Sequence, residues 1–443
     1  MKVIFSNIYK IKSDLISFFI IVFFLLNTSY LLYLDNFAVI CFFTLFIIVT
    51  LLHSGRRDNV LLLNIGFFVC IFFYEYWGIF YGSHYFGGKH SDDYNFNVHW
   101  TKGYHEKYGL NPIYIFKHLY QLEGGAGILH NSVGYVYLNI CLRWIGDLLG
   151  GHHSLIPRFL NIFLLLQISI YSGKISLYYW SNSKIYSSIK YAVFLFPVML
   201  FNSVHIFRDT LVSLILIYLF YGYLKHKKNL PFIVFSLLLI VMLFYLRKAN
   251  AVILIFTVLL LLVKEKSIKR YLPMFITVFF LVFAAITILF NKEIFTQISR
   301  YAEMNSERFS GIGGKFFSLP MYIGFIPRLT FLIFVPAIGI GSFHQFFLSF
   351  STIFQIIFFP FLFLSLFNKK IDLRLRITFL IYFLGVALST ATFRHVMMYL
   401  PFGIILVIYQ FKTTQLRFSK NYLQILIGLI ITFVFSIILS LLY

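Results

Sequence analysis

The sequence predicts an all-α polytopic integral membrane protein, with about 13 transmembrane helices and with interfacial or re-entrant helices in two external loops. Two observations support this fold class. Of the 443 residues, 60% are hydrophobic and only 12% are charged, whereas a soluble domain is about a quarter charged. Apolar runs close to the ~20 residues that cross a bilayer also recur from one end of the chain to the other.

Thirteen apolar segments are predicted to cross the membrane. Basic clusters follow every second segment, and cytoplasmic loops are where Lys and Arg accumulate. With the N-terminus in the cytoplasm, 22 of the 37 Lys and Arg but only 4 of the 15 Asp and Glu fall on the cytoplasmic side. The segments cover residues 13–34, 37–53, 59–80, 157–179, 189–207, 209–224, 230–246, 251–263, 271–290, 346–367, 377–393, 396–411 and 421–442.

Composition argues against several classes of function. The formal net charge of +22 belongs mostly to the cytoplasmic loops, so it predicts no nucleic-acid partner. Cys41, Cys70 and Cys141 lie in apolar or amphipathic stretches, so no disulfide framework is expected. The histidine spacings match no metal-binding motif, and neither a metal nor a cofactor is predicted. We expect one transmembrane domain over residues 1–443, in contact with the lipid bilayer.

The first long stretch between apolar segments, residues 81–156, is predicted to be an external loop. Within it, residues 132–150 have helical apolar spacing but carry Arg143 and Asp147. A charged amphipathic helix of this kind is typical of the membrane interface or of a re-entrant segment.

The second external stretch covers residues 291–345. It is polar at first and then apolar, with interruptions at Pro320, Arg328 and Pro336, which predicts a partial dip into the membrane. Tyr301 could reach across the outer opening as part of a mobile lid. The alternative is that this stretch is an ordinary solvated loop.

Three arginines stand at external hairpin tips, against the general charge bias. Arg208, Arg247 and Arg394 each separate two apolar segments that meet with almost no loop, and Lys248 and His395 follow two of them. An arginine in such a place costs free energy unless it finds a partner, and guanidinium binds two phosphate oxygens at once. If the tips meet, they form a positive pocket for a lipid-linked phosphate or diphosphate. The alternative is that each arginine snorkels to head groups or caps a helix.

Further residues are assigned to this cluster by position. Arg158 and Arg328 are external-side arginines within apolar sequence, and both are predicted diphosphate ligands together with Lys248. Asp209 is expected to pair with Arg208. His205 is either a supporting residue of the site or a packing histidine.

The densest ionisable chemistry lies in residues 82–105, where Asp92 and Asp93 are adjacent and four histidines surround them. One carboxylate could act as a general base on a substrate hydroxyl, and neighbouring cations would keep it ionised. The alternative is that Ser91, Asp92 and Asp93 form a capping turn before the helix that follows.

Five motifs together resemble a known family. They are GGxxSDDYNF at 87–96, HNSVGY at 130–135, PRFLN at 157–161, HIFRDTLVSL at 205–214 and TFRHVMMYLP at 392–401. As a pattern over residues 80–400, the chain resembles bacterial membrane glycosyltransferases of the broad GT-C type. More narrowly, it is similar to the O-antigen and capsule repeat-unit polymerases called Wzy.

The resemblance implies a multi-pass protein of the bacterial inner membrane with a cytoplasmic N-terminus and a periplasmic active site. It implies undecaprenyl-diphosphate-linked glycans as donor and acceptor, and a chain-length regulator and a flippase of the same pathway as partners. Arg208, Arg247 and Arg394 would then hold the diphosphates, and Asp93 or Asp92 would be the base. The early acidic pair is instead typical of GT-C transferases that use a polyprenyl-phosphate sugar donor, so that subtype stays open.

A transporter of lipid-linked sugar belongs to a different class of protein. Transporters bury charge near the bilayer midplane and often have paired halves, whereas the midplanes here are almost free of charge. The pattern therefore favours an enzyme that works at one face over a flippase, and a sensor or assembly protein without chemistry stays open.

Overall fold

The protein is described by a computed structural model that covers most of the chain. Every regular element in the described part is helical, which confirms the predicted all-α class. The predicted segment 271–290 and most of the second external stretch lie outside that part. The described residues are 2–54, 56–85, 92–115, 133–226, 229–262, 277, 326–330, 333, 343–389, 393–413 and 420–442.

The described helices follow the predicted apolar segments closely. The α-helices of eight residues or more are α1 (Lys2–Tyr33), α2 (Phe37–Ser54), α3 (Arg57–Tyr81), α4 (Thr101–Tyr108), α5 (Val133–Leu148), α6 (Leu155–Trp180), α7 (Ser183–Leu195), α8 (Pro197–Val204), α9 (Asp209–His226), α10 (Leu230–Leu246), α11 (Lys248–Leu262), α12 (Phe343–Phe367), α13 (Leu373–Ser389), α14 (Leu400–Thr413) and α15 (Lys420–Leu442). A helical turn (Asp92–Tyr94), a π-helix (Asn95–His99) and a 3-10 helix (Phe393–Met398) complete the order.

Several of these helices have the length and composition of membrane spans. In the described part of the chain, five are long and apolar enough to cross a bilayer, a bent pair makes a sixth, and four more apolar helices are shorter. The five are Asp14–Tyr33, Arg57–Tyr81, Leu155–Trp180, Phe346–Phe367 and Tyr422–Leu439. The protein is therefore an α-helical membrane protein.

The predicted segment 189–207 is not one continuous helix. α7 and α8 meet at an angle of 51°, and the residue between them, Phe196, has extended backbone angles (φ −62°, ψ 122°). The cause is Pro197, which lacks an N–H donor and disfavours a helical conformation at the residue before it. Apolar residues continue across the break, so hydrophobicity alone does not reveal it.

The last predicted hairpin tip also differs from expectation. Segment 396–411 is predicted as one apolar segment, but a 3-10 helix (Phe393–Met398) covers its start and carries Arg394 and His395. The α-helix resumes only at Leu400, so the tip is longer than the two-residue connection that the sequence predicts.

The chain forms two compact units, each with its own core. The first unit consists of residues 1–167, 200–214 and 245–247, and the second of residues 168–199, 215–244 and 248–443. In the first unit, α1 and α2 pack on α3, and the rings of Phe43, Phe67 and Phe159 lie 4.5–6.3 Å apart. In the second unit, α14 packs on α7 and α12.

Candidate functional site

Three ionisable side chains from separate segments form a buried cluster in the first unit. Oδ2 of Asp93 lies 3.1 Å from Nη2 of Arg158 and accepts a hydrogen bond from Nδ1 of His205, also at 3.1 Å. All three side chains are at most 1% exposed. The sequence singles out each of these residues separately, and the fold brings them together from positions up to 112 residues apart.

The ion pair holds the connection between α8 and α9, residues 205–208, which we call the tip loop. The backbone N–H of Ile206 donates to Oδ1 of Asp93 at 2.7 Å. Nη1 of Arg158 donates to the carbonyl of Val204 at 2.7 Å. The carboxylate and the guanidinium thus bind backbone groups two residues apart, and they fix the course of the chain just before Arg208.

Asn161, one turn after Arg158 on α6, holds the same loop from a second side. Its Nδ2 donates to the carbonyls of His205 at 2.6 Å and Phe207 at 3.1 Å, and it lies 3.2 Å from the hydroxyl of Tyr135. Asn161 lies in the PRFLN motif but was not predicted as a site residue. Its spacing from Arg158 places both side chains on one helix face, which is the signal that could have identified it.

Aromatic rings enclose the cluster. The guanidinium of Arg158 lies 5.3 Å from the ring of Trp77 and 5.9 Å from that of Tyr85, and its Nη2 donates to the carbonyl of His84 at 3.1 Å. The ring of His205 stacks on Trp77 with centroids 4.8 Å apart. Cation–π contacts of this kind strengthen when water is excluded, so Arg158 is held by a carboxylate, two carbonyls and two ring faces.

The environment of Asp93 keeps it ionised. Burial by itself would raise the pKa of this carboxyl, but the charges of Arg158 and His205 and the hydrogen bonds from His205 and Ile206 lower the pKa to about 2. Both oxygens are engaged with other segments, which differs from the capping turn that the sequence left open. Asp93 is the anion of a buried ion pair.

A second ion pair lies next to the tip loop. Asp209, the first residue of α9, accepts from Nη1 of Arg247 at 2.5 Å. This pair joins two hairpin tips. The predicted pairing of Asp209 with its neighbour Arg208 stays a prediction. A carboxylate at a helix N-terminus is also favoured by the helix dipole. Two of the three predicted arginine tips are therefore in contact within the first unit.

Arg208 and Arg247 remain partly accessible. Arg208 lies half-buried in the tip loop, and the side chain of Arg247 is 13% exposed, against 3% for Asp209. By contrast, Arg158 is fully buried. Of the predicted phosphate ligands in this unit, Arg208 and Arg247 are thus partly exposed, whereas Arg158 is not.

The other predicted site residues lie in the second unit or outside the described part. Arg394 is half-buried on the 3-10 helix, and His395 beside it is 3% exposed. Arg328 is 6% exposed within a short helical stretch. Their roles as phosphate ligands or supporting groups stay predictions. The side chains of Lys248 and Asp92, and the whole of Tyr301, fall outside the described residues.

Neutral polar groups of the first external stretch form further hydrogen bonds beside the cluster. Nδ2 of Asn97 donates to the hydroxyl of Tyr85 at 2.7 Å, and its Oδ1 lies 2.9 Å from Nε2 of His152. Nε2 of His153 lies 3.2 Å from the hydroxyl of Tyr74. Sequence reasoning missed these residues, because isolated Asn and His residues in a loop carry no local signal of burial.

Both histidines are kept neutral in the folded protein. Burial lowers the pKa of His152 to about 3, and the charge of Arg143 adds to this effect. Burial likewise lowers the pKa of His153 to about 4, with help from His84 and Arg158. An unfolded histidine has a pKa near ~6.5, so the unfolded chain binds more protons at acidic pH.

Acidification should therefore destabilise the first unit. Below pH ~6.5 each of these histidines is protonated only on unfolding, so stability falls by up to ~1.4 kcal/mol per pH unit for each as the pH drops toward 4. We expect the melting temperature of the purified protein to fall steeply between pH 7 and pH 4.5. The double variant His152→Gln/His153→Gln should show a flatter profile.

The exposed His99 provides the matched control, and His99→Gln should keep the wild-type profile. Asp93, with its pKa of about 2, loses its contribution only as the pH falls from ~3.8 through 2, below this interval. A double variant with the wild-type slope would contradict the assignment.

The second unit contains an apolar cavity of about 500 Å³. It lies among α7, α12, α13 and α14, and its lining includes Tyr191, Phe196, Phe354, Phe358, Phe383 and Tyr399. Its size falls in the ~300–1,000 Å³ range of small-molecule sites, and its walls suit a hydrocarbon chain.

No known protein family, curated protein or solved structure matches this chain. A functional assignment therefore depends on the geometry of the two ion pairs and on the sequence pattern.

Proposed function

We propose that this protein is a membrane glycosyltransferase that joins undecaprenyl-diphosphate-linked oligosaccharide units at the periplasmic face of a bacterial inner membrane. In this proposal about 13 helices span the membrane and the N-terminus is cytoplasmic. The product is a surface polysaccharide, and the partners are a chain-length regulator and a flippase. The observation that carries the proposal is the Arg247–Asp209 contact, which brings a second arginine tip against the tip loop of Arg208.

The proposed reaction needs cations at the position where the leaving group forms. A hydroxyl oxygen of the acceptor bonds to the anomeric carbon of the donor, and the bond from that carbon to the diphosphate oxygen breaks. Undecaprenyl diphosphate leaves with the electron pair, and the proton of the acceptor hydroxyl passes to the base. Fixed guanidinium groups stabilise this growing charge, and we assign the role to Arg208 and Arg247, with Arg394 as the predicted third member.

The role of the buried cluster of Asp93, Arg158 and His205 is to hold the tip loop in one conformation. Asp93 was predicted as the base, but a carboxylate with a pKa of about 2 whose two oxygens are already bonded is a weak proton acceptor. We therefore assign Asp93, Arg158 and Asn161 to positioning the tip loop. The role of base then falls to Asp92, which precedes Asp93 in the same helical turn.

The apolar cavity of the second unit supports a substrate with a lipid carrier. Its aromatic and aliphatic walls suit a polyprenyl chain, which has only hydrocarbon to bury.

The lipid-linked intermediates of a gene-deletion strain test this proposal. A strain without the polymerase should make no long polymer and should accumulate complete single repeat units, attached to the carrier, on the periplasmic side. Mass spectrometry of the extracted lipids measures the composition of the repeat units. Their protection from periplasmic enzymes shows on which side of the membrane they lie.

Two other outcomes would overturn the proposal and identify the alternatives. Repeat units that lack one sugar would indicate a GT-C transferase with a polyprenyl-phosphate donor. Complete units trapped on the cytoplasmic side would indicate a flippase. Expression of the wild-type gene should restore the polymer and serves as the control.

A further inference from the structure

A groove of mixed aromatic and polar character runs along one side of residues 95–108. It has a volume of about 490 Å³, within the ~300–1,000 Å³ usual for small-molecule sites. Trp100, Tyr104 and Tyr108 form its aromatic part, and the charged or polar side chains beside them are Asn95, His99 and Lys107.

The aromatic side chains of the groove form a concave surface. Tyr104 is only 5% exposed, while Trp100 and Tyr108 on either side are half-buried. The rings of Tyr104 and Tyr108 are nearly parallel, with an interplanar angle of 26° and centroids 5.9 Å apart. The amine of Lys107 lies 5.3 Å from the ring centre of Tyr108, so a cation is held at the rim.

This combination fits a saccharide better than a bilayer surface. Trp and Tyr residues of a membrane interface lie at the level of the lipid head groups, whereas here the central ring, that of Tyr104, is buried and polar side chains line the groove beside the rings. The C–H face of a pyranose packs on an aromatic ring, and its hydroxyl groups need donors and acceptors at the edge of the site. His99 and Lys107 provide such groups.

The groove belongs to the same chain segment as Asp93. The helical turn with Asp93 passes directly into the π-helix Asn95–His99 and then, through Trp100, into α4. The buried side of this segment holds the tip loop through Asp93, and its open side forms the groove. A sugar in the groove would therefore lie on an element that is fixed rigidly to the arginine tips.

We propose that the groove along residues 95–108 binds the sugar chain of a lipid-linked oligosaccharide by stacking on Trp100 and Tyr108. This inference rests on the proposed function, because that function supplies the glycan. It adds a subsite for the sugars, separate from the arginines that hold the diphosphate.

Gly103 offers a direct test, since it lines the groove and an added Cβ would meet nothing within 4 Å. Gly103→Leu should add apolar volume to the groove from a position where the Cβ itself has room, and Gly103→Ala is the matched control. Both replacements favour a helix more than glycine does, so neither should reduce folding.

The probe is the oligosaccharide released by mild acid from the surface polysaccharide of the native strain. Saturation-transfer NMR with the protein in lipid nanodiscs should show transfer to the C–H protons of the sugars. Gly103→Leu and Trp100→Ala should weaken binding at least tenfold, and Gly103→Ala and Tyr33→Ala, an 85% exposed tyrosine elsewhere, should not.

The outcomes separate the groove from the proposed reaction. No transfer with the wild-type protein, or equal binding by Gly103→Leu and Gly103→Ala, overturns the groove, even if variants of the arginine tips abolish the polymer. Binding that depends on residue 103, together with a normal polymer in the variants of the arginine tips, supports the groove and overturns the proposed reaction.

Discussion

Asp93→Ala is expected to lower the free energy of unfolding by about 3–5 kcal/mol, because it leaves a buried arginine without its counter-ion. Arg158 is 0% exposed and Asp93 is 1% exposed, so water cannot replace the carboxylate. The backbone N–H of Ile206 also loses its acceptor. Thermal unfolding in detergent, and protein abundance in the membrane, measure the effect.

Two further variants separate charge from hydrogen bonding at this position. Asp93→Asn keeps an oxygen for the N–H of Ile206 but cannot neutralise Arg158, and it should recover only a small part of the loss. The double variant Asp93→Leu/Arg158→Met removes both charges and should recover most of it, since an apolar pair of similar size often replaces a buried ion pair at little cost. A stable Asp93→Ala protein would contradict the cluster.

Arg247→Ala is expected to reduce polymer synthesis by about 10²–10³-fold, the usual effect of removing one group that stabilises charge in a transition state. The side chain stands at the contact of two tips and is still partly exposed. Polymer length on gels and turnover of lipid-linked units by purified protein measure the loss. Arg247→Lys should retain partial activity, because the charge stays while the two-pronged geometry is lost.

The stability effect of this substitution needs its own control. Arg247→Ala leaves Asp209 buried without its cation, so the double variant Arg247→Ala/Asp209→Asn should restore abundance but not activity. Arg143→Ala removes an arginine of α5 that lies 3.8 Å from Asp147 and belongs to none of the three predicted tips, so it should leave the polymer unchanged. Full-length polymer in a stable Arg247→Ala protein would remove the catalytic role of the tips.

The helices could be predicted well because a transmembrane span leaves a strong local signal. The expected segment 230–246 coincides with α10, and segment 37–53 differs from α2 by one residue. The break before Pro197 was missed because the apolar residues continue on both sides of it. There the proline itself was the better indicator.

The site could be predicted only in part, since long-range partners leave no local trace. Asp93, Arg158 and His205 each stood out as polar residues in unusual places, but no pattern indicated that they bind one another. Arg158 was predicted to bind a diphosphate, but its side chain lies in the interior, where its guanidinium binds backbone carbonyls. Side-chain type predicts chemistry, whereas burial decides whether that chemistry serves a substrate or the fold.

The two ion pairs share an order along the chain that matters during synthesis. In each pair the carboxylate comes first: Asp93 precedes Arg158, and Asp209 precedes Arg247. Because the ribosome makes the N-terminal partner first, each carboxylate has already been synthesised when its arginine emerges, so neither ion pair has to wait for a later segment of the chain.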